Sequence, residues 1–411
     1  MSPSPLTKGR ELAQRVDAEA SARLPSATSA LGDAPAQSDL HDERIAAILG
    51  MALGVSFVIC FFTGLYSHLE QHPPSWWDIP AAPAGLYRLT QGVHVATGIA
   101  SIPLLFAKLW TVWPRFFVWP AVTGVANAVE RLSLLPLVGG ALFQLVTGVA
   151  NVFHWYWFHF FFTVAHYDAA WITIGGLLTH ILAKLTITRA ALARGGPRLD
   201  RPTNRHGLIS RRGFLWTAGA ASVTLTAATV GETLGGPVPL LQATDLLAPR
   251  RPDTGPQGFP VNRPAVEAGV THLARDVSNY RLRVEGPGVT HPMVLTIDEL
   301  ATLPRSRSTL PISCVEGWSA SRQWEGVRVR DLLDAAGARR GATVTVESVE
   351  ANGVYRTSQL NNDQAHHSDT LLAFKVGGEV LDIDHGYPLR LIAPNRPGVL
   401  QTKWVHRVVV A

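Results

Sequence analysis

The sequence contains two cysteines, and one of them, Cys314, stands in the block Pro311-Ile-Ser-Cys-Val-Glu-Gly-Trp318. A lone thiolate is a soft ligand that suits a soft, redox-active metal. The commonest fate of a free cysteine, however, is to fill space in an apolar core, and the residues around Cys314 leave both alternatives open. Because Cys60 lies inside an apolar run, the two cysteines exclude a disulfide framework, a cysteine-based zinc site and an iron–sulfur cluster.

Histidines inside apolar segments are the second set of candidate metal ligands. His166 and His180 are 14 residues apart, which on a helix returns to within about 40° of the same face after a rise of about 21 Å. Two such histidines could each hold one haem, and a low-spin haem needs two axial nitrogens. We expect His94 to pair with His166 at an outer haem, and His41 to pair with His180 at an inner one. Such histidines can also join helices or relay protons. Competing outer ligands are His68, His154 and His159.

A third set of residues is basic and lies near the end of the sequence. It runs His385-Gly-Tyr-Pro-Leu-Arg390, followed by Arg396, Gly398 and Lys403-Trp404. Arginine and lysine make charge-assisted hydrogen bonds to a dianionic phosphate, so this set predicts a phosphate-binding site. The alternative is a solvated basic strand end.

The elements that must position the histidines are membrane helices. The chain of 411 residues is 47% hydrophobic. Its apolar segments, at about 45–67, 92–113, 135–153 and 168–187, each approach the ~20 residues that cross a bilayer. Lys and Arg are concentrated before the first segment and after the second and fourth, which places the N-terminus in the cytoplasm. The net charge of +5 lies at segment ends rather than along a stripe, so we expect membrane lipid as a partner and no nucleic acid.

The stretch Ser210-Arg211-Arg212-Gly-Phe214-Leu215 follows the fourth segment. It resembles the twin-arginine export signal, which implies the twin-arginine export machinery as a partner. The alternative is a stop-transfer charge cluster before an ordinary helix. The weakly apolar run that follows has no clean cleavage site, so we expect a fifth transmembrane anchor and an extracytoplasmic domain beyond it.

The predicted fold class is therefore multidomain, with an all-α transmembrane helical bundle of four helices plus a fifth anchor helix, followed by an α+β domain. Alternating strand patterns at 280–286, 343–349 and 388–392, a helix at 328–336 and a hairpin turn at Gly377-Gly378 indicate the α+β part. The predicted parts are a disordered cytoplasmic tail (1–40), a four-helix cytochrome b-like membrane domain (41–190), a basic cytoplasmic loop (191–212), the anchor (213–232), a linker (233–264) and the α+β domain (265–411).

The Cys314 block and the basic set together resemble the molybdopterin-binding core of the sulfite oxidase family, over residues 265–411. The resemblance implies that Cys314 binds molybdenum beside the two dithiolene sulfurs of the pterin. It also implies that Asn279 contacts the pterin, and we take Arg322 as a candidate catalytic residue that steers an oxyanion. The residues implied to hold the pterin phosphate are His385, Arg390, Arg396 and Lys403.

Two departures limit this resemblance. Ser313 stands before the cysteine where animal and plant sulfite oxidases have Arg, and those enzymes continue into an immunoglobulin-like domain, whereas this sequence stops at Ala411. We therefore expect the compact form of the bacterial branch, and the resemblance does not extend to sulfite as the substrate.

The arrangement of the histidines resembles the dihaem b-type subunits of formate dehydrogenases and nickel–iron hydrogenases. Together, the resemblances imply an oxidoreductase of the cytoplasmic membrane that uses molybdopterin and two b-type haems. It would act on a small oxyanion or a sulfoxide-like substrate and exchange electrons with the quinone pool. Two other functions stay open: a non-catalytic electron-transfer or assembly protein with a partner-binding exported domain, and a dihaem cytochrome that is a transmembrane reductase by itself.

Overall fold

The computed structural model describes residues 39–117, 124–193, 209–234, 238–248, 250–251, 253–274 and 276–411. Most of the predicted tail and most of the predicted basic loop lie outside these residues. Within them, a helical region is followed by a region built on two β-sheets. This succession confirms the predicted order of an all-α part and an α+β part.

Four long helices form the first region, and their positions agree with the four apolar segments. They are α1 (Glu43–Gln71), α2 (Leu86–Val112), α3 (Val125–Val152) and α4 (Phe162–Ala193). α1 begins where the Asp42 side chain accepts a hydrogen bond from the backbone N–H of Arg44 at 2.6 Å, which satisfies one of the free donors of the first turn. α1 packs against α2, and α3 packs against α4. All four are long and apolar enough to cross a membrane.

The two ends of the helical region have different neighbours. At one end, Arg211 Nη1 lies 3.4 Å from Asp42 Oδ2, just before α1. At the other end, Asn395 of the sheet region accepts a hydrogen bond from the Tyr87 N–H at 2.7 Å and donates one to Pro80 O at 2.8 Å. The start of the first helix and the Ser210-Arg211-Arg212 stretch therefore share one end, and the sheet region packs on the opposite end.

The fifth helix, α5 (Arg211–Ala227), has 17 residues and packs against α2. It begins at Ser210, whose Oγ accepts a hydrogen bond from the Gly213 N–H at 3.0 Å. Seventeen residues rise about 26 Å, less than the ~30 Å hydrocarbon core of a bilayer. Among the described residues only α1 to α4 meet the length and hydropathy of a membrane span, so crossing by the fifth helix stays a prediction.

Two five-stranded sheets and short helices form the second region. The first sheet has the order β2-β1-β10-β5-β6, with β1 parallel to β10 and the other neighbours antiparallel. The second, wholly antiparallel, has the order β3-β4-β7-β8, and β9 also pairs with β7. The strands are β1 (Leu282–Glu285), β2 (Met293–Leu295), β3 (Arg305–Ser313), β4 (Ser319–Arg328), β5 (Val344–Ser348), β6 (Thr357–Leu360), β7 (Leu371–Val376), β8 (Glu379–Val380), β9 (Arg390–Ile392) and β10 (Val405–Val410). The short helices are α6 (Gly231–Leu234), α7 (Pro239–Ala243), α8 (Ala265–Ala268), α9 (Ile297–Thr302), α10 (Val329–Ala335) and α11 (Asn362–His366).

The elements predicted for this region are confirmed. β1, β5 and β9 lie within the three predicted strands, and α10 lies within the predicted helix, which ends before Gly337 with its φ of 61°. Gly377 and Gly378 connect β7 to β8, both with positive φ, as a tight hairpin requires. Apolar side chains of the two sheets are buried between these elements and form the core.

Residues 233–264 differ from the predicted linker. Phe259 is completely buried in the core of the second sheet, with its ring centroid 5.8 Å from that of Trp324. Because this segment is rich in Pro and Gly, its sequence does not indicate that Phe259 belongs to the core. The segment before 265 is therefore part of the structure around Cys314 rather than a spacer.

Candidate functional site

Cys314 lies in the tight turn that joins β3 to β4. The Cys314 N–H donates to Trp318 O at 2.9 Å, and the Gly317 N–H donates to Cys314 O at 3.2 Å. Gly317 has φ 104°, a conformation that favours glycine. These bonds close a loop, Cys314–Gly317, which we call the thiol loop. These backbone hydrogen bonds of the hairpin thus fix the position of Cys314.

The thiol itself is 2% exposed and is surrounded by hydrogen-bond donors. Asn262 Nδ2 donates to Cys314 Sγ at 2.6 Å, and the Glu316 N–H donates at 3.3 Å. Burial raises the pKa of the Cys314 thiol well above its usual value, and the negative charge of Glu316 raises it further. The two donors favour the thiolate. A buried thiol of this kind loses its proton when it binds a metal ion.

Buried cations lie on the other side of Asn262. Lys403 Nζ donates to Asn262 O at 2.5 Å, to Arg263 O at 3.0 Å and to Asp384 O at 2.8 Å. Burial, together with the nearby charge of Arg390, lowers the pKa of Lys403 to about 7. The three acceptors of Lys403 Nζ are thus neutral carbonyls, which do not balance its charge.

Arg390, in β9, is 3% exposed, and burial lowers its pKa to about 9. Its Nη1 donates to His385 O at 3.0 Å, and its Nε is buried without a hydrogen-bond partner among the described residues. Gly386 has φ 113°, a backbone conformation that favours glycine. It also packs closely, since a Cβ on it would lie 3.2 Å from the Cβ atoms of both Arg390 and Lys403. Two cations therefore flank one glycine.

His385 completes this group. Its Nε2 lies 2.8 Å from Pro256 O, and its ring stacks on Phe259 at 3.7 Å between centroids. Burial lowers the pKa of His385 to about 3, with a further contribution from the charge of Arg390, so the imidazole is neutral. A neutral ring next to two cations can donate or accept a hydrogen bond without adding charge.

The donor set fits a phosphate-bearing pterin. Within the described parts of the chain, neither Arg390 nor Lys403 forms an ion pair with a carboxylate, although both are largely removed from water. A dianionic phosphate would supply the missing charge and accept from the unpartnered Arg390 Nε. Asn262 lies between these cations and the Cys314 thiol, so one ligand could reach both.

The other predicted residues lie further from this group. Arg396 is 2% exposed and donates from Nη1 to Gln359 O at 2.8 Å and to Gln364 Oε1 at 2.5 Å. Burial lowers its pKa to about 10. Its Nε is also buried without a hydrogen-bond partner among the residues described. Arg396 Nε is therefore available as a donor among the described residues, while Nη1 bonds to Gln359 and Gln364 rather than to a residue beside the lysine or the thiol.

Arg322 and Asn279 are not brought to Cys314. Arg322, in β4, donates to Gly258 O, and its guanidinium lies 5.7 Å from the Phe259 ring centroid. The Phe259 ring therefore contacts both Arg322 and His385. Asn279 is exposed in the turn before β1. The roles of both as site residues stay predictions.

Sequence reasoning missed Asn262, whose side chain donates to the thiol. The only available signal was a polar pair, Asn262-Arg263, between Pro260 and Pro264 in a segment that composition marks as a linker. Glu316 was also missed, although it lies two residues after the cysteine. Its carboxylate is 3.1 Å from His154 Nε2 and 3.3 Å from Arg250 Nη1.

A second candidate site is a cavity of about 370 Å³ between α1, α2, α3 and α4. Its volume lies in the range of small-molecule and cofactor pockets. His94 and His166 both line it, with ring centroids 6.2 Å apart. If both rings bound one metal ion, their centroids would be separated by two metal–nitrogen bonds of about 2 Å each and by about 1 Å from each nitrogen to its ring centre, which gives a similar distance. The structure therefore brings this predicted pair together.

Both rings are oriented by their Nδ1 atoms. His94 Nδ1 lies 2.9 Å from Cys60 O, and His166 Nδ1 lies 2.9 Å from Thr147 Oγ1. Metal-binding histidines are commonly held in this way through the nitrogen that does not bind the metal. Gly64 makes room for the first ring, since a Cβ on it would lie 3.0 Å from His94 Cε1.

The predicted inner pair, His41 and His180, does not line this cavity, and its role as a haem site stays a prediction. His41 Nδ1 lies 3.0 Å from Thr111 O, and the His41 ring faces Trp110 at 6.5 Å. His180 lies in α4 and is not among the residues that line the cavity. Of the competing histidines, His68 lines the cavity and stacks on Tyr167 at 3.7 Å. The remaining two, His154 and His159, are exposed.

Comparison with known proteins finds a match to the sheet region. The family described as oxidoreductase molybdopterin binding domain matches residues 268–411, which include Cys314, Arg390 and Lys403. The chain is 31% identical over 153 residues to the uncharacterized oxidoreductase YuiH of Bacillus subtilis, which covers 37% of this chain and 75% of YuiH. The chain therefore belongs to the family of molybdopterin-binding oxidoreductases.

Two further relatives have names that state an activity. YedZ1 of Azospira oryzae, named provisionally as a protein-methionine-sulfoxide reductase subunit, is 31% identical over 135 residues, covering 33% of this chain and 50% of YedZ1. The mitochondrial sulfite oxidase of Rattus norvegicus is 27% identical over 161 residues, covering 33% of this chain and 30% of that enzyme. This protein is an oxidoreductase of the sulfite oxidase family, and it spans half or less of the length of these two relatives.

Proposed function

We propose that this protein is a membrane-bound, molybdenum-dependent oxidoreductase that transfers electrons between a substrate at Cys314 and the quinone pool through b-type haem. The observation that carries the proposal is the buried thiol beside Arg390 and Lys403, two cations with no carboxylate ion-pair partner among the described residues. When bound, the molybdenum cofactor supplies two-electron, oxygen-atom-transfer chemistry. Cys314 would ligate its metal, while Arg390 and Lys403 would hold its phosphate.

The residues of this chain prepare the site for that cofactor. Asn262 and the Glu316 N–H donate to Cys314 Sγ and would lower the charge density of the bound thiolate. Burial in the core of the second sheet excludes water from the thiol, so hydrogen bonds there act in a low-dielectric environment. His385 stays neutral and packs against Phe259, which keeps the cations of the phosphate site in place.

The helical region supports the membrane part of the proposal. α1 to α4 have the length and composition of membrane spans, and the cavity between them has two histidines at a separation that suits one metal ion. We propose that His94 and His166 are the axial ligands of one b-type haem in this cavity. A second haem between His41 and His180 is an additional prediction.

Export of the sheet region by the twin-arginine route is the remaining part of the proposal. The Ser210-Arg211-Arg212 stretch lies at the end of the helical region opposite the sheet region, as this topology requires. The fixed packing of the sheet region on the helices fits a route that carries folded, cofactor-loaded domains. The active site would then be extracytoplasmic.

The test uses membranes from cells that make the protein, with the oxidation state of the haem as the readout. Sulfite, methionine sulfoxide, trimethylamine N-oxide and chlorate are added in turn. A substrate that reduces the haem is oxidised by the enzyme, and one that oxidises quinol-reduced haem is itself reduced. Sulfoxides and small oxyanions are the classes that the names of the relatives favour. Purified protein without molybdenum would overturn the proposal in favour of a non-catalytic electron-transfer or assembly protein.

A further inference from the structure

All four residues of the thiol loop are held by side chains from outside residues 268–411, which match the molybdopterin-binding family. Asn262 donates to the Cys314 thiol, His154 and Arg250 pair with the Glu316 carboxylate, and Thr233 donates to Gly317 O. The loop therefore does not rest on its own domain alone. It is seated on the helical region and on the segment that follows it.

Val315, the remaining residue of the thiol loop, is held by two hydrogen bonds. Its carbonyl oxygen accepts one hydrogen bond from Gln91 Nε2 at 3.3 Å and another from Asn151 Nδ2 at 2.8 Å. Both side chains are 6% exposed. Buried primary amides on two different helices, α2 and α3, thus converge on one backbone carbonyl, next to the cysteine.

The same residue lines the cavity of His94 and His166. Val315 is a wall residue of that cavity, although it belongs to the sheet region. Gln91 precedes His94 by three residues, so the two lie on one face of α2, about one turn apart. Asn151 follows Gly148 by three residues on α3, and a Cβ on Gly148 would lie 3.8 Å from His166 Cε1. Gln91 and Asn151 also line the cavity themselves, each one helical turn from a residue that lies at or against a histidine ring.

We propose that Gln91 and Asn151 are positioning residues that fix Val315 as the electron-transfer contact between the Cys314 site and the haem of the cavity. This inference rests on the proposed function. Each transfer moves one electron: a ferrous haem becomes ferric as the oxidised molybdenum site gains that electron, or the reverse. No atom or proton passes through Val315. The two domains already meet at Val315, so electron transfer needs no movement of one domain towards the other.

The test measures this transfer without a substrate, on the purified full-length holoprotein. A flash-generated deazaflavin radical reduces the haem by one electron, and the reoxidation of its absorbance band follows transfer to the molybdenum site. In the double variant Gln91→Met, Asn151→Leu the buried Val315 carbonyl loses both donors, so the loop leaves its seated position more often. We expect transfer to slow about tenfold, which corresponds to about 1.4 kcal/mol. Haem content, molybdenum content and both reduction potentials should stay unchanged.

Tyr156→Phe is the matched control. Tyr156 donates to Asn151 Oδ1 at 2.9 Å, so this variant removes a hydrogen bond from the same amide but leaves the donor to Val315 in place. Its transfer rate should equal that of the parent. If the double variant does not accumulate, the single variants, each with one donor left, should show an intermediate rate.

An unchanged rate in the double variant, with both cofactors present, would overturn the role of the two amides while leaving the proposed function intact. An equal loss in Tyr156→Phe would also overturn it, because the effect would then not depend on the bond to Val315. A parent protein without a b-type absorbance band would instead refute the haem of the proposed function, and the inference with it.

Discussion

Replacement of Arg390 by methionine should weaken cofactor binding without destabilising the cofactor-free protein. Arg390 is 3% exposed, and its Nε has no hydrogen-bond partner among the described residues. A buried cation without a counter-charge raises the free energy of the folded state through desolvation, which is also why its pKa falls to about 9. Methionine has a similar length, and its thioether can replace the cation–π contact of the guanidinium carbon, which lies 5.7 Å from the Trp324 ring centroid, by a sulfur–aromatic contact.

The two effects have opposite signs. One hydrogen bond from a charged group contributes about 1.5–3 kcal/mol, so its loss should weaken binding of the pterin phosphate roughly 10- to 150-fold. In the cofactor-free protein, removal of the unsatisfied buried donor of a charged group gains about 3 kcal/mol or more, and loss of the bond from the same charged group to His385 O costs about 1.5–3 kcal/mol. We therefore expect the cofactor-free variant to be as stable as the parent or up to about 2 kcal/mol more stable.

The assay compares pterin and molybdenum content with the apparent unfolding temperature, for protein made with and without cofactor synthesis. Arg407→Met is the control, because Arg407 is 39% exposed and its Nε lies 2.6 Å from Glu285 Oε1. It should keep the cofactor and lose less than about 1 kcal/mol of stability. A cofactor-free Arg390→Met protein that unfolds well below the parent, yet retains its pterin, would refute the assignment of Arg390 to the phosphate.

Three further predictions concern neighbouring residues. The pKa of Lys403 is lowered from 10.5 to about 7, so its charged form is lost above pH 7 and phosphate binding should weaken up to about tenfold per pH unit from about pH 7.5 to 9.5. Without cofactor, stability should instead rise over that range, because the unfolded chain keeps a proton that the folded chain has lost. In calorimetric and unfolding titrations, Lys403→Met should abolish both trends below about pH 8.5, where Arg390, with its pKa of about 9, is still mostly charged. Asn262→Leu removes a donor to the thiolate, so the two-electron potential of the molybdenum site should fall by about 30–65 mV in a redox titration, and an unchanged potential would contradict that bond. Gly64→Val should displace the His94 ring and reduce the b-type absorbance, whereas Gly54→Val, with nothing within 4 Å, should not; equal spectra would argue against haem in the cavity.

Much of the fold could be predicted because local signals determine it. The apolar segments that form α1 to α4 are long and continuous, and such segments indicate membrane-spanning helices. Gly337 and the Gly377-Gly378 pair mark chain reversals that require positive φ. The segment around Phe259 was misjudged because a single buried aromatic residue among Pro and Gly leaves no periodic pattern.

The candidate site could be predicted only in part. The sequence indicates Cys314 and the basic residues because their types suit metal and phosphate and two motifs occur together. Asn262 was not found, since its contact with the thiol joins positions that are 52 residues apart. The contacts of Gln91 and Asn151 with Val315 span 224 and 164 residues, and no short motif reports such packing. Spacing on one helix suggested His166 and His180, and matching depth suggested His94, but neither could show what lies opposite each ring.

The most direct test of the central claim is the number of sulfur atoms bound to molybdenum in purified protein, measured by X-ray absorption spectroscopy. If Cys314 is a ligand, Cys314→Ser should have one fewer sulfur neighbour than the parent, with its pterin content retained. Cys60→Ser is the matched control, because Cys60 lies in α1, and its spectrum should equal that of the parent. An unchanged sulfur count in Cys314→Ser, or a parent protein without molybdenum, would contradict the account.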